Sequence, residues 1–261
     1  MLPVAEQGPA RTNVRTPSWL AMLCLSRLSL SLIFNAYAGV MPLVREDWHM
    51  SAAKAATIQI AWHLGYLVSL FVVGILADRY GARRTYLVSA AIAALAATAF
   101  ALGSQGYASA LALYGIAGLC SGGSYTPGLA LIYQHVDPRA RGRAMGWFLA
   151  ASSLGYAAAL GAIALLVAVA SWRAALAVAA GAAVLGAGLG WVALRGLRDP
   201  VRGGDSVPAR PWQAIVETWR DPAAMACNWA YTFHCWELFV VWAWLPSFLA
   251  AAAGGTVSGY G

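Results

Sequence analysis

The sequence predicts an all-α membrane protein with seven spanning helices, and three observations carry that prediction. Of 261 residues, 61% are hydrophobic and only 10% are charged, where a soluble domain has about half and a quarter. Seven apolar runs are long enough to cross the ~30 Å hydrocarbon core at about 1.5 Å per helical residue. The basic residues gather in alternate loops. This composition excludes a disordered chain, a nucleic-acid-binding tail and an ordinary soluble enzyme. The net charge of +7 is therefore a matter of placement and not of an anionic macromolecular partner.

The runs fall at residues 19–43, 55–77, 85–103, 108–134, 144–170, 173–194 and 223–250. The first is too long for a cleaved leader. With the N-terminus inside, the inner segments hold Arg11 and Arg15, then Arg79, Arg83 and Arg84, then Arg139, Arg141 and Arg143, then Arg195, Arg198, Arg202, Arg210 and Arg220. Only Arg45, Lys54 and Arg173 fall outside. This asymmetry predicts a cytoplasmic N-terminus in a multi-pass protein of the plasma membrane, a bacterial inner membrane. Cys24, Cys120, Cys227 and Cys235 lie in apolar runs without paired spacing, so no disulfide framework, metal site or cofactor is expected.

Four segments follow. Residues 1–18 form a cytoplasmic N-terminal segment and 19–195 a six-helix transmembrane bundle. Residues 196–222 form a cytoplasmic linker, and 223–261 hold helix 7 and the start of a second half. In the linker, Trp212, Ile215, Val216 and Trp219 recur at helical spacing after Pro211. They predict a short amphipathic helix on the inner membrane face; a polar loop with two stray Trp is the alternative.

Helices 3 and 6 are nearly all Ala, Leu, Val and Gly, and are expected at the periphery. Helices 1, 2, 4, 5 and 7 carry the polar groups, which should face one another or a wet cavity. Helix 2 has Gln59, Trp62, His63 and Tyr66 on one face. Helix 4 has Gly118 and Gly122 four apart, a spacing that lets helices approach closely.

Between helices 2 and 3 stands Gly74-Ile-Leu76-Ala-Asp78-Arg79-Tyr-Gly81-Ala-Arg83-Arg84. This resembles motif A of the major facilitator superfamily, G-x-L-A-D-R-x-G-R-[RK]-x. Gly74, Leu76, Asp78, Arg79, Gly81 and Arg83 match. Ala82 stands where a basic residue is usual, and Arg84 follows. Arg141-Gly-Arg143 resembles the basic turn before helix 5, and Ser171-Trp172-Arg173 the outer start of helix 6. On physical grounds alone, Asp78 ends helix 2 beside a cluster of Arg. A carboxylate there can accept from a neighbouring helix N-terminus and pair with Arg, forming a latch that breaks between conformations. Topology determinants and lipid anchors are the alternative role of the Arg residues.

The resemblance implies a secondary transporter, not an enzyme, with two six-helix halves around a midplane site. It implies a major-facilitator-type N-terminal bundle plus helix 7, with the C-terminal half missing or supplied by another chain. The 261 residues alone are expected to transport little. The departures bear on substrate. Drug/proton antiporters of the superfamily carry an Arg in helix 4, where the resemblance places Tyr114 here. They carry a glycine series ending in Gly-Pro in helix 5, where Gly146 and Gly155 match but Ala159-Leu160 replace the Gly-Pro. Trp244-Leu245-Pro246 resembles anion-transporting branches.

Arg27 is the one basic residue within a span. It can bind an anionic small-molecule substrate or snorkel to the inner interface, and both readings stand. Asn35, Tyr37, His63, Tyr66, Tyr125, Thr126 and Tyr231 are the other candidates for lining a substrate cavity, with plain packing the alternative for each Tyr. In helix 7, Asn228, Tyr231, His234 and Glu237 recur every three residues. Glu237 near the bilayer centre is costly to ionise alone. With His234 it is expected to couple transport to protons; a His–Glu contact that fixes packing is the alternative. Two other functions are carried: a non-transporting membrane partner, and an intramembrane metalloenzyme using His63, His234, Cys235 and Glu237, for which no ligand spacing speaks.

Overall fold

The computed structural model describes residues 18–199 and 211–252. Among them every regular element is helical. They are α1 (Ser18–Ser31), α2 (Ala36–Asp47), α3 (Ala52–Tyr80), α4 (Ala82–Gly103), α5 (Tyr107–Ser121), α6 (Thr126–His135), α7 (Pro138–Val169), α8 (Trp172–Leu194), α9 (Pro211–Arg220) and α10 (Pro222–Ala252). Arg11, Arg15, Arg202, Arg210, Gly203 and Gly204 lie outside the described residues, as does the chain from residue 253 on.

Two of the seven expected spans are not single helices. The first runs from Ser18 to Asp47 but is interrupted by a 3₁₀ turn at Leu32–Phe34. The fourth is interrupted at Gly122–Ser124, between α5 of 15 residues and α6 of 10 residues. Neither half alone crosses a bilayer. A hydropathy count cannot show this, because the breaks use residues as apolar as their neighbours. Among the described residues, five segments are long and apolar enough to cross as they stand: 18–47, 52–80, 82–103, 138–167 and 172–194.

The helix ends are capped as the sequence leads one to expect. Ser51 accepts from the Lys54 amide at 3.2 Å, Asp137 from Arg139 at 2.9 Å and Ser171 from Ala174 at 3.2 Å. Each satisfies an N–H that the helix leaves open, which is worth about 1 kcal/mol. Pro138 sits in the first turn of α7, where its missing N–H costs nothing. At the end of the bundle away from the Arg-rich loops, Trp172 packs edge-on against Trp48 at 5.6 Å, and Arg173 pairs with Asp47 at 3.6 Å.

Close packing depends on small residues. A Cβ at Gly118 would collide with the Trp62 carbonyl, so α5 and α3 touch backbone to backbone there. Gly155 does the same for α7 against the Leu28 carbonyl of α1. Ser26 ties α1 to two further helices: its hydroxyl donates to the Gly186 carbonyl at 2.6 Å and lies 2.9 Å from the Tyr86 hydroxyl.

Helices 3 and 6, here α4 and α8, stand outside the substrate cavity, which α1, α3, α5, α7 and the two breaks line without a residue from either. They pack on each other and on α1, and α4 buries Tyr86, Ala90, Ala97 and Phe100. Of their apolar windows, 33% of α4 and 39% of α8 is buried in the bundle. Ala and Gly stripes let α4 and α8 nest tightly, whereas the polar stripe of α3 faces the cavity and α10. The amphipathic linker helix is present as α9, beginning at Pro211. Its Val216 and Trp219 are exposed, which leaves an apolar face for an interface.

Candidate substrate site and gating loop

The two helix breaks lie at the same cavity. Ser31, Ile33 and Phe34 line it from the first break, and Ser121 and Ser124 from the second, with Arg27, Leu30, Trp62, Tyr66 and Tyr156 completing the wall. A helix break exposes carbonyls that its own ladder would have used. Tyr114 on α5 meets this need: its hydroxyl lies 3.1 Å from the Ile33 carbonyl and 3.0 Å from that of Phe34. Ser69 on α3 accepts from the Gly122 amide at 3.1 Å. A fully buried Tyr thus braces the break in helix 1.

Arg27 is 5% exposed and does not snorkel. Its Nε donates to Ser152 Oγ at 2.6 Å and its Nη1 to Ser124 Oγ at 2.6 Å. Its Cζ lies 5.3 Å from the Tyr125 ring centre and 5.9 Å from that of Phe148. Two short hydrogen bonds from α7 and the α5–α6 break fix the guanidinium, and aromatic faces cover it. All these partners are neutral. None of these described partners of Arg27 is a carboxylate. A buried cation without an anion is costly.

Beyond the guanidinium the wall is aromatic. Phe34 is the hub: ring centres lie at 4.2 Å for Trp62, 4.9 Å for Tyr156, 5.7 Å for Tyr66, 5.9 Å for His63 and 5.9 Å for Phe239, the last nearly parallel at 21°. Trp62 and Tyr66 stack at 5.0 Å and 15°. Phe239 brings α10 into this cluster, and Tyr231 brings it to Tyr125, their hydroxyls 3.4 Å apart. His63 donates Nδ1–H to the Gln59 carbonyl at 2.8 Å. That bond leaves Nε2 as the ring nitrogen able to accept. Among the described residues the buried Trp62 Nε1–H and Asn35 Nδ2 find no acceptor.

The candidates from sequence thus divide. Arg27 and Tyr66 line the cavity, Tyr125 and Tyr231 stand at its α10 side, and His63 joins the aromatic cluster. Asn35 sits in the first break. Tyr37 is in the bundle core, donating to the Ala55 carbonyl at 2.9 Å, and Thr126 is exposed at the start of α6. His234 and Glu237 are exposed on α10, and no hydrogen bond joins them. Ser124, Ser152, Phe34, Trp62 and Tyr156 were not singled out as site residues. The two Ser were detectable in principle, as hydroxyls in otherwise apolar helices that must find a donor or acceptor.

At the Arg-rich end, Gly81 joins α3 to α4 with φ 92° and ψ 150°, a conformation for glycine. A Cβ there would collide with Asp199, which lies just past α8. Asp199 caps α4: its carboxylate accepts from the Arg83 amide at 2.8 Å and from Arg84 at 3.4 Å. The Arg83 Nε–H donates to the Leu194 carbonyl at 2.7 Å. His135 at the end of α6 adds a contact of 3.0 Å from Nε2 to the Arg198 carbonyl. Asp199 is thus an acidic partner of the α4 N-terminus. Asp78 and Arg79 are exposed at the end of α3, Gly74 and Leu76 one turn before them.

Broken apolar helices thus meet around a buried cation and an aromatic cavity. The chain belongs to the Major Facilitator Superfamily, whose pattern matches residues 23–261. It is 34% identical over 119 residues to the multidrug efflux pump LfrA of Mycolicibacterium smegmatis. That match covers 43% of this chain and 23% of the relative, so the chain spans well under two thirds of the pump it resembles.

Proposed function

We propose that the protein is a secondary active transporter of the plasma membrane that moves a small anionic solute by alternating access. One observation carries the anion: Arg27 is buried, fixed by two neutral hydroxyls and covered by π faces, without a carboxylate among its described neighbours. Tyr66, Tyr125 and Tyr231, with His63 behind them, are the further substrate residues. The motif from Gly74 to Arg84 acts as the latch on the inner side, with the N-terminus cytoplasmic. His234 and Glu237 on α10 couple the movement to protons. A C-terminal half, on the same chain or another, supplies the second wall of the site.

The test is transport by the full-length protein in membrane vesicles against a panel of labelled small anions and cations. Anions are expected to move, and Arg27→Gln should reduce their flux at least about tenfold, since a charge-assisted hydrogen bond is worth about 1.5–3 kcal/mol. Flux confined to cations, unchanged by Arg27→Gln, would overturn the anion assignment. The relative is a multidrug efflux pump, so cationic drugs belong in the panel as the competing outcome.

A further inference from the structure

Building on the anion reading, we infer that the solute is an aromatic carboxylate, a planar ring bearing one carboxyl group. The cavity wall combines two chemistries. Arg27 supplies one fixed positive charge, beside Ser31, Ser121 and Ser124, whose hydroxyls already donate to backbone carbonyls. Phe34, Trp62, Tyr66 and Tyr156 supply the aromatic rings around it.

A single guanidinium held by two Ser is a site for one negative charge. Its Nε and Nη1 are engaged by Ser152 and Ser124, so only part of its fork remains for a ligand. That favours one carboxylate over a dianion needing several donors. A strongly hydrated inorganic anion would gain little from the aromatic half, and its desolvation there is costly.

The aromatic half is suited to a ring. Phe34 already receives ring edges from Trp62, Tyr66 and His63, at interplanar angles of 65°, 79° and 88°, and a parallel face from Phe239 at 21°. Such edge-on and stacked pairs are the geometries a further aromatic ring adopts. Tyr66 and His63 are only partly buried, so their faces remain available along the path from Arg27 towards α10. The Trp62 Nε1–H, buried without an acceptor among the described residues, is a further donor in this wall. In this state the cavity holds little more than a water molecule. A ring must therefore enter by displacing the half-buried Tyr66 side chain or by parting α3 from α10. Binding is thus tied to movement of α10 against α3.

The experiment is calorimetric titration of purified full-length protein in detergent with benzoate, cyclohexanecarboxylate, acetate and benzylamine. These vary the ring's flatness, its presence and the sign of charge in turn. Benzoate is expected to bind at least about fivefold more tightly than cyclohexanecarboxylate, from the added worth of aromatic pairing, with acetate weaker still and benzylamine not competing. In Tyr66→Leu the preference for benzoate over cyclohexanecarboxylate should fall towards one. Equal or tighter binding of cyclohexanecarboxylate by the wild type overturns the aromatic assignment and leaves the anion site intact. Benzylamine binding as well as benzoate, or no carboxylate binding at all, overturns the anion reading itself.

Discussion

Replacing Gly81 with Ala should weaken the fold through two linked effects, and a double-mutant cycle with Asp199 separates them. Gly81 has φ 92° and ψ 150°, where a residue with a Cβ is strained by about 1–3 kcal/mol. The new methyl would also occupy the position of the Asp199 carboxylate. That carboxylate accepts one well-formed hydrogen bond, from Arg83 at 2.8 Å, and one long one, from Arg84 at 3.4 Å. Losing such a cap costs about 1 kcal/mol, and losing a negative charge at a helix N-terminus a further ~0.3–1 kcal/mol. Asp199→Ala alone should therefore cost about 1–2 kcal/mol. Gly81→Ala should cost about 2–5 kcal/mol, because it strains the backbone and also displaces the cap. In the double variant the cap is lost only once, so its cost should fall short of the sum by about 1–2 kcal/mol. Unfolding in mixed dodecyl maltoside and sodium dodecyl sulfate micelles, followed by circular dichroism, measures all three. Additivity within about 0.5 kcal/mol would refute the proposed contact between Gly81 and Asp199.

Asp78→Asn is expected to leave membrane insertion intact while cutting transport by the complete protein, because the latch loses its charge; transport at the wild-type rate in vesicles with matched protein content would remove the latch. Glu237→Gln should abolish accumulation driven by an imposed pH gradient while leaving downhill exchange; a mutant that still concentrates solute in response to that gradient excludes Glu237 as the coupling residue. Reporter fusions at residues 82 and 105 should report cytoplasm and periplasm respectively, and a periplasmic signal at 82 would invert the topology.

How far the sequence carries can be seen residue by residue. Length and hydropathy place the helices, because burying about 20 residues in lipid leaves no other backbone solution. The spacing around Gly74 and Arg84 marks the family. The breaks at Leu32–Phe34 and Gly122–Ser124 are invisible to the same reasoning, since their residues are apolar or small and the partners that satisfy them lie far along the chain: Tyr114 for the first, Ser69 for the second. Arg27 was recognisable as an intramembrane charge, but its two alternative fates differ only in whether Ser124 and Ser152 arrive beside it, 97 and 125 residues away. Asp199 escaped for the same reason. A cap from within a helix's own approach leaves a local signature, as at Ser51 and Ser171, whereas a cap from 116 residues away leaves none. The place of helices 3 and 6 is legible from their lack of polar groups: α4 and α8 give no residue to the cavity, and their small apolar residues favour the tight contact they make with each other.

The central claim is that the buried charge of Arg27 binds the transported anion, and flux through proteoliposomes tests it most directly. Full-length protein reconstituted as wild type, Arg27→Lys and Arg27→Gln is loaded with unlabelled benzoate, and counterflow of labelled benzoate is followed. The predicted result is robust counterflow in the wild type, a partial loss in Arg27→Lys, which keeps the charge but not the two-pronged geometry, and at least an approximately tenfold loss in Arg27→Gln. Equal counterflow in wild type and Arg27→Gln, at equal reconstituted protein, would contradict it.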